Sequence, residues 1–277
     1  MHPPNKAPFV ITGSGRCGTT LVRRLLVERA KVIIPPENYV LYKTPRLLSE
    51  SENWRDAVDR IVALLSQQSN WSAFNIDREL LVRRLRRIPA QARSGAEIWN
   101  VFHSTWADAN DLPYRDHWGD KTPRAALHLK GVKATLPNVH FVFLVRNPYD
   151  VIRSYRQMDV SHGSVVDIAN RWRKANLNIL KMDRRLKDQC LVVKYEQLVS
   201  SEVQTINSII DHIGAEFSNG IDNTRCISDI PTVRHFQNVE KAVFSSSVGV
   251  GKDELSKEEL DVVDPIIADA KTALGYE

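Results

Sequence analysis

The chain has 277 residues, 43% of them hydrophobic and 26% charged, which is enough apolar material for one large core, and a single domain spanning 1–277 is the simplest organisation. Its net charge of +5 suits an anionic ligand, no uncharged stretch approaches the roughly 20 residues of a membrane span, and Met1-His2-Pro3-Pro4-Asn5-Lys6 lacks the apolar core of a secretory signal, so a cytoplasmic protein is expected. Three widely spaced cysteines, Cys17, Cys190 and Cys226, argue against a disulfide framework and against a metal cluster.

Phe9-Val10-Ile11-Thr12 reads as a short strand. It runs into the glycine-bearing Gly13-Ser14-Gly15-Arg16-Cys17-Gly18-Thr19-Thr20 and then a helical pattern from Leu21, giving the order strand, loop, helix. Lys31-Val32-Ile33-Ile34, closed by Pro35-Pro36, predicts a second strand, since proline cannot donate to a central ladder. Helical patterns follow at about 53–69, 77–87 and 94–110, and the section from about 46 to 118 reads as a helical insertion without strands. Within it, Arg83-Arg84-Leu85-Arg86-Arg87 alternates basic and apolar residues as a solvated helix face does, rather than as a nucleic-acid surface. A further helix is predicted over 123–135. Val139 to Val145, apolar on both parities except at His140, reads as a strand covered on both faces. Helices at 148–158 and 165–186, a strand at Cys190 to Tyr195 and a last helix at 256–274 complete the pattern, while 220–252 shows little periodicity. Strands alternating with helices predict an α/β fold, a P-loop-type parallel sheet flanked by helices.

The spacing Gly13, four residues, Gly18, Thr19, Thr20 is that of a Walker A loop with threonine in place of its lysine. Backbone N–H groups of such a loop and the positive end of the next helix bind an anion. Glycines at 13, 15 and 18 let the backbone approach it; Arg16 replaces the lost charge, and Thr19 and Thr20 offer hydroxyls. Losing the lysine argues against ATP or GTP. Cys17 and Arg23 also have the spacing of a cysteine phosphatase, but Arg23 belongs to an amphipathic helix and Cys17 reads as a small packing residue.

Past the strand ending at Val145, Arg146 and Ser154 stand eight positions apart around Pro148. The arginine falls at the carboxyl end of a strand, where open sheets bind ligands, and Ser154 falls two turns along the helix that Pro148 starts. Both can converge on one phosphate.

Together these segments resemble the sulfotransferase family. Gly13 to Thr20 is similar to its loop for the 5′-phosphosulfate, and Phe141 to Ser154 to its 3′-phosphate site. Asp120-Lys121-Thr122-Pro123-Arg124 and Val193-Lys194-Tyr195-Glu196-Gln197-Leu198-Val199 resemble elements of the branch containing tyrosylprotein and many bacterial sulfotransferases. The resemblance implies 3′-phosphoadenosine 5′-phosphosulfate (PAPS) as donor, adenosine 3′,5′-bisphosphate (PAP) as product, no metal, and a hydroxyl or amine of a small molecule as acceptor, with no nucleic-acid partner. It implies cofactor contacts from Gly13, Ser14, Gly15, Arg16, Cys17, Gly18, Thr19, Thr20, Arg146, Ser154 and Tyr195. Lys121 is implied at the bridging oxygen and Glu37 as general base, with a pKa raised by the nearby anion; His103, His117 and His162 are rivals for that role. The family's late Arg-Lys-Gly run is missing, and Lys252 is the nearest substitute. A P-loop kinase or nucleotide hydrolase, and a basic module for nucleic acid or acidic polysaccharide, are the alternatives.

Overall fold

The apolar start of β1 (Phe9–Gly13) is buried along its whole length, as a strand covered on both faces must be. In the computed structural model, which describes residues 6–112, 117–158, 163–218 and 248–277, β1 pairs in parallel with β2 (Gly119–Lys121) and β3 (His140–Val145), and β3 with β4 (Cys190–Lys194). The sheet order is β2-β1-β3-β4. Helix α1 (Thr19–Arg29) follows the loop after β1. Four helices, α2 (Thr44–Glu50), α3 (Trp54–Ser66), α4 (Arg78–Arg86) and α5 (Gly95–Ala109), separate α1 from β2. They form the helical insertion. Helices α6 (Leu129–Thr135), α7 (Pro148–Arg156), α8 (Val165–Arg185), α9 (Tyr195–Ser200), α10 (Glu202–Ile213) and α11 (Lys257–Ala273) complete the described fold.

Local chemistry sets the helix ends. Asn53, Asp77 and Ser94 each accept a backbone N–H in the first turn of α3, α4 and α5. Ser164 with Asp167, and Ser256 with Glu259, form reciprocal capping boxes at α8 and α11, which satisfy otherwise orphaned donors. Trp99, Phe102 and Phe74 meet edge to face in the insertion, and the Trp99 indole donates to Thr44 Oγ1 at 3.0 Å, so these rings are core. The arginine-rich α4 faces its neighbours as well as water, with Arg84 on Asp108 and Arg86 on Asp59, each at 2.6 Å. No described helix is long and apolar enough to cross a membrane.

Several elements differ from expectation. Lys31 to Ile34 makes a single isolated bridge, Ile33 to Trp118, with Ala30 just before it bridging Phe217, because Pro35-Pro36 stops the ladder. The polar Gly119-Asp120-Lys121 takes the edge position instead. The helix over 123–135 is two pieces, a 3₁₀ turn at Pro123–Leu127 and α6, parted at His128 with φ −133°. Helices α2, α9 and α10 were not anticipated. Most of the aperiodic stretch 220–252 lies outside the described residues, as do Cys226 and His162.

Candidate active site

Sheet register assembles the site. Gly13 is level with Leu144, and Val145 with Lys194, so the loop after β1, Arg146 after β3 and Tyr195 after β4 lie in one row at the carboxyl end of the sheet. Lys121 ends β2 beside Ile11 and extends the row on the other side. This edge is where parallel sheets leave room for ligands.

The loop is shaped for close approach. Gly15, Arg16 and Gly18 all have positive φ, at 85°, 54° and 93°. A Cβ on Gly18 would stand 2.6 Å from the Tyr195 ring, so only glycine fits there. Gly18 is also the N-cap of α1, without a side-chain cap bond and with no acidic residue in the first turn, which leaves the positive helix end to an anion. Thr19 begins α1, and Ser14 is bound through its carbonyl, which accepts from the Tyr155 hydroxyl at 3.4 Å.

The loop and the second pair of residues are in direct contact. Arg16 Nε donates to Ser154 Oγ at 3.0 Å, and Arg146 Nη1 donates to the Arg16 carbonyl at 3.2 Å. Arg146 lies over the Tyr195 ring, 4.2 Å from its centroid, and 3.9 Å from Asp150. Burial lowers the Arg16 pKa, and the neighbouring Arg146 charge lowers it further against the opposing pull of Tyr155. Among the described residues no carboxylate forms an ion pair with Arg16.

Across the row, the Lys121 ammonium meets both Glu37 and Thr20 Oγ1, the latter at 3.3 Å. Tyr39 donates its hydroxyl to the other Glu37 oxygen at 2.6 Å, and Asn70 Nδ2 donates to the Glu37 carbonyl at 2.8 Å. Burial alone would raise the Glu37 pKa, but the Lys121 charge and hydrogen bond, with Tyr39, outweigh it and lower it. This is opposite in direction to the raised value expected for an anion-bound site, and Lys121 is the reason. Glu37, Lys121 and Thr20 therefore form one continuous set, 26% exposed at Glu37 and 4% at Lys121.

The two rival histidines among the described residues lie elsewhere. His103 is fully buried on α5, stacked on Trp118 at 3.7 Å and bonded through Nδ1 to the Trp99 carbonyl, and burial drops its pKa to about 3. His117 precedes β2 with its ring against Phe9, at the opposite edge of the sheet from Gly13. Cys17 is buried and its thiol pushed up, the reverse of a phosphatase nucleophile, and Arg23 Nε donates to the Ile34 carbonyl at 2.9 Å. Lys252 stands over the Tyr149 ring at 5.6 Å, and its segment binds α7 through Gly249 and Gly251 N–H groups on the Asp150 carboxylate, both at 2.9 Å. Tyr155 and Arg171, which covers the Tyr155 ring at 4.8 Å, were missed by sequence reasoning, although Tyr155 directly follows Ser154, which was singled out.

A parallel sheet with a glycine loop leading into α1, and cations on the adjoining strand ends, defines a P-loop-type α/β protein. A family model described as the sulfotransferase family matches residues 8–219. The chain belongs to that family. Its fold is similar to the sulfotransferase domain of the Synechococcus PCC 7002 olefin synthase, with a TM-score of 0.66 at 19% identity, covering 100% of this chain and 98% of that one. It is also similar to the sulfotransferase domain from the curacin biosynthetic pathway, TM-score 0.56 and 19% identity over 100% and 99% of the two chains. A sulfotransferase from Mycobacterium avium gives 0.53 at 14% identity over 99% and 78%. No curated protein matches the sequence.

Proposed function

We propose that this chain, acting as one domain over 1–277, transfers a sulfuryl group from PAPS to a hydroxyl or amine of a small-molecule acceptor. The observation that carries the reading is the contact of Arg16 with Ser154 and of Arg146 with the Arg16 carbonyl, which puts two candidate anion sites side by side. The Arg146 charge acts against that of the half-buried Arg16, and a doubly phosphorylated ligand relieves that repulsion. The loop also fits the group: Gly15, Arg16 and Gly18 hold its backbone at positive φ, and α1 presents an N-terminus without a side-chain cap bond.

Bound PAPS supplies an activated sulfuryl group whose bridging oxygen leaves with the 5′-phosphate of PAP. The chain's residues divide the remaining work. Loop N–H groups from Gly13 through Gly18, with Arg16, Thr19 and Thr20, hold the 5′-phosphate and sulfuryl oxygens; Arg146 and Ser154 hold the 3′-phosphate. Tyr195 supports Arg146 from below, and Lys252 closes from the α7 side. Lys121 donates to the bridging oxygen as negative charge gathers there. Glu37 takes the acceptor's proton. An anion in the loop competes with Glu37 for Lys121, so donor binding lets the Glu37 pKa climb from its depressed value toward that of a useful base. A kinase or nucleotide hydrolase would need the lysine that Thr19 replaces.

Calorimetric titration with PAP, ATP and heparin, followed by labelled PAPS against a panel of phenols, alcohols and amines, tests the reading. PAP binding at least tenfold tighter than ATP, with label transfer to a panel member, is expected. Equal affinity for ATP and PAP, or heparin as the tightest ligand, would refute it.

A further inference from the structure

Glu37 and Lys121 come from segments 84 positions apart, and neither lies in the middle of a helix or long strand that would hold it rigidly. What fixes them is the residue beside each. Asn38, 0% exposed, has all its polar groups engaged. Its Nδ2 donates to Asp120, its backbone N–H donates to Thr122 Oγ1 at 3.3 Å, and its carbonyl accepts from the same hydroxyl at 2.6 Å. Its Oδ1 accepts the N–H groups of Val40 and Leu41 at 3.2 and 3.0 Å, which folds the chain after Glu37 into the next turn.

Asp120 and Thr122 flank Lys121, and extended backbone sends alternate side chains to opposite sides. The two outer residues therefore grip Asn38 while the residue between them meets Glu37. Thr12, the last residue before the glycine loop, donates its hydroxyl to the carbonyls of Thr122 and Pro123 at 3.0 and 2.9 Å. This ties the assembly to the loop in turn. Thr12, Asp120 and Thr122 are all 1% exposed or less, so water does not compete for these bonds.

Resting on the function proposed above, we infer that Asn38, Asp120 and Thr122 are positioning residues that set the Glu37 carboxylate against Lys121 for proton removal, and are not part of the donor cradle. A displacement of ~1 Å at a reacting group costs on the order of a hundredfold in rate, so the effect should appear in turnover rather than in donor affinity.

The sharp test uses Thr122→Val, which keeps the shape and removes the hydroxyl, and Thr122→Ser, which restores it. Release of PAP from PAPS, with water or 2-naphthol as sulfuryl acceptor, is followed at a temperature where circular dichroism shows all variants folded, and PAP affinity is measured by calorimetry. Expected are a turnover loss of tenfold or more in Thr122→Val, PAP affinity within twofold of wild type, and recovery to within threefold in Thr122→Ser. Asn38→Ala should match Thr122→Val. Wild-type turnover in folded Thr122→Val, or a loss confined to PAP affinity, would overturn the inference and leave the proposed function standing. Failure of the wild-type chain to bind PAP would remove both.

Discussion

A single carboxyl group shows how burial and function meet at this site. Asp120 is buried, and among the described residues it forms no ion pair. Burial, opposed by the Thr122 hydrogen bond and reinforced by the Glu37 charge, lifts its pKa from 3.8 to about 7. Between those values the folded chain holds a proton that the unfolded chain has released, so this group's contribution makes stability fall as pH rises from about 4 to about 7. His103 and His117, lowered to about 3 and about 4, act in the opposite sense over an overlapping range, so the wild-type curve alone does not isolate Asp120. Asp120→Asn keeps an oxygen to accept from Asn38 and cannot ionise. The difference in melting temperature, variant minus wild type, should therefore rise with pH through that window and level off above it. A difference flat from pH 4 to 8 would show that Asp120 ionises normally. Asn38, its partner, was invisible in the sequence because no spacing marks it; its importance comes from a contact that only the fold creates. Glu37 was singled out because it follows the expected second strand where the resembled branch carries a glutamate, and Lys121 because its neighbours resembled a family motif.

At the scale of elements, β1 and β3 were readable because both faces are apolar, and the loop because glycine spacing reports backbone conformation directly. Edge strand β2 was not, since three polar residues carry no period and are held by register with β1 rather than by propensity. The segment before α11 was equally opaque, yet it docks closely on α7. A Cβ on Gly251 would stand 2.4 Å from the Asp150 nitrogen and from the Tyr149 carbonyl carbon, which are backbone atoms that cannot step aside. Gly251→Ala should cost about 1–3 kcal/mol in urea unfolding, in line with overpacked sites. It should also weaken PAP binding severalfold, because Asp150, 3.9 Å from Arg146, loses its Gly249 and Gly251 donors and draws more strongly on that arginine. Unchanged stability together with unchanged affinity would mean that the segment is a bystander.

Across the whole molecule, the net charge of +5 fits several kinds of acidic ligand, and its distribution decides among them. Two of the four arginines in the stripe that suggested a polymer-binding surface are tied down, Arg84 by Asp108 and Arg86 by Asp59, whereas Arg16 and Arg146 are brought together at the sheet edge. Ligand stabilisation reads this difference. At a hundred times its dissociation constant PAP should add about 2.7 kcal/mol, which for a chain of this size raises the melting temperature by about 5 °C or more. Arg146→Ala, losing a charge-assisted phosphate contact, should weaken binding at least tenfold and so cut the shift at the same PAP concentration to about half or less. Arg86→Ala should lower the starting melting temperature through its broken pair with Asp59 and keep the full PAP shift. The opposite pattern, with the shift surviving Arg146→Ala and vanishing in Arg86→Ala, would move the anion site from the sheet edge to the helical insertion, where the donor reading has no support.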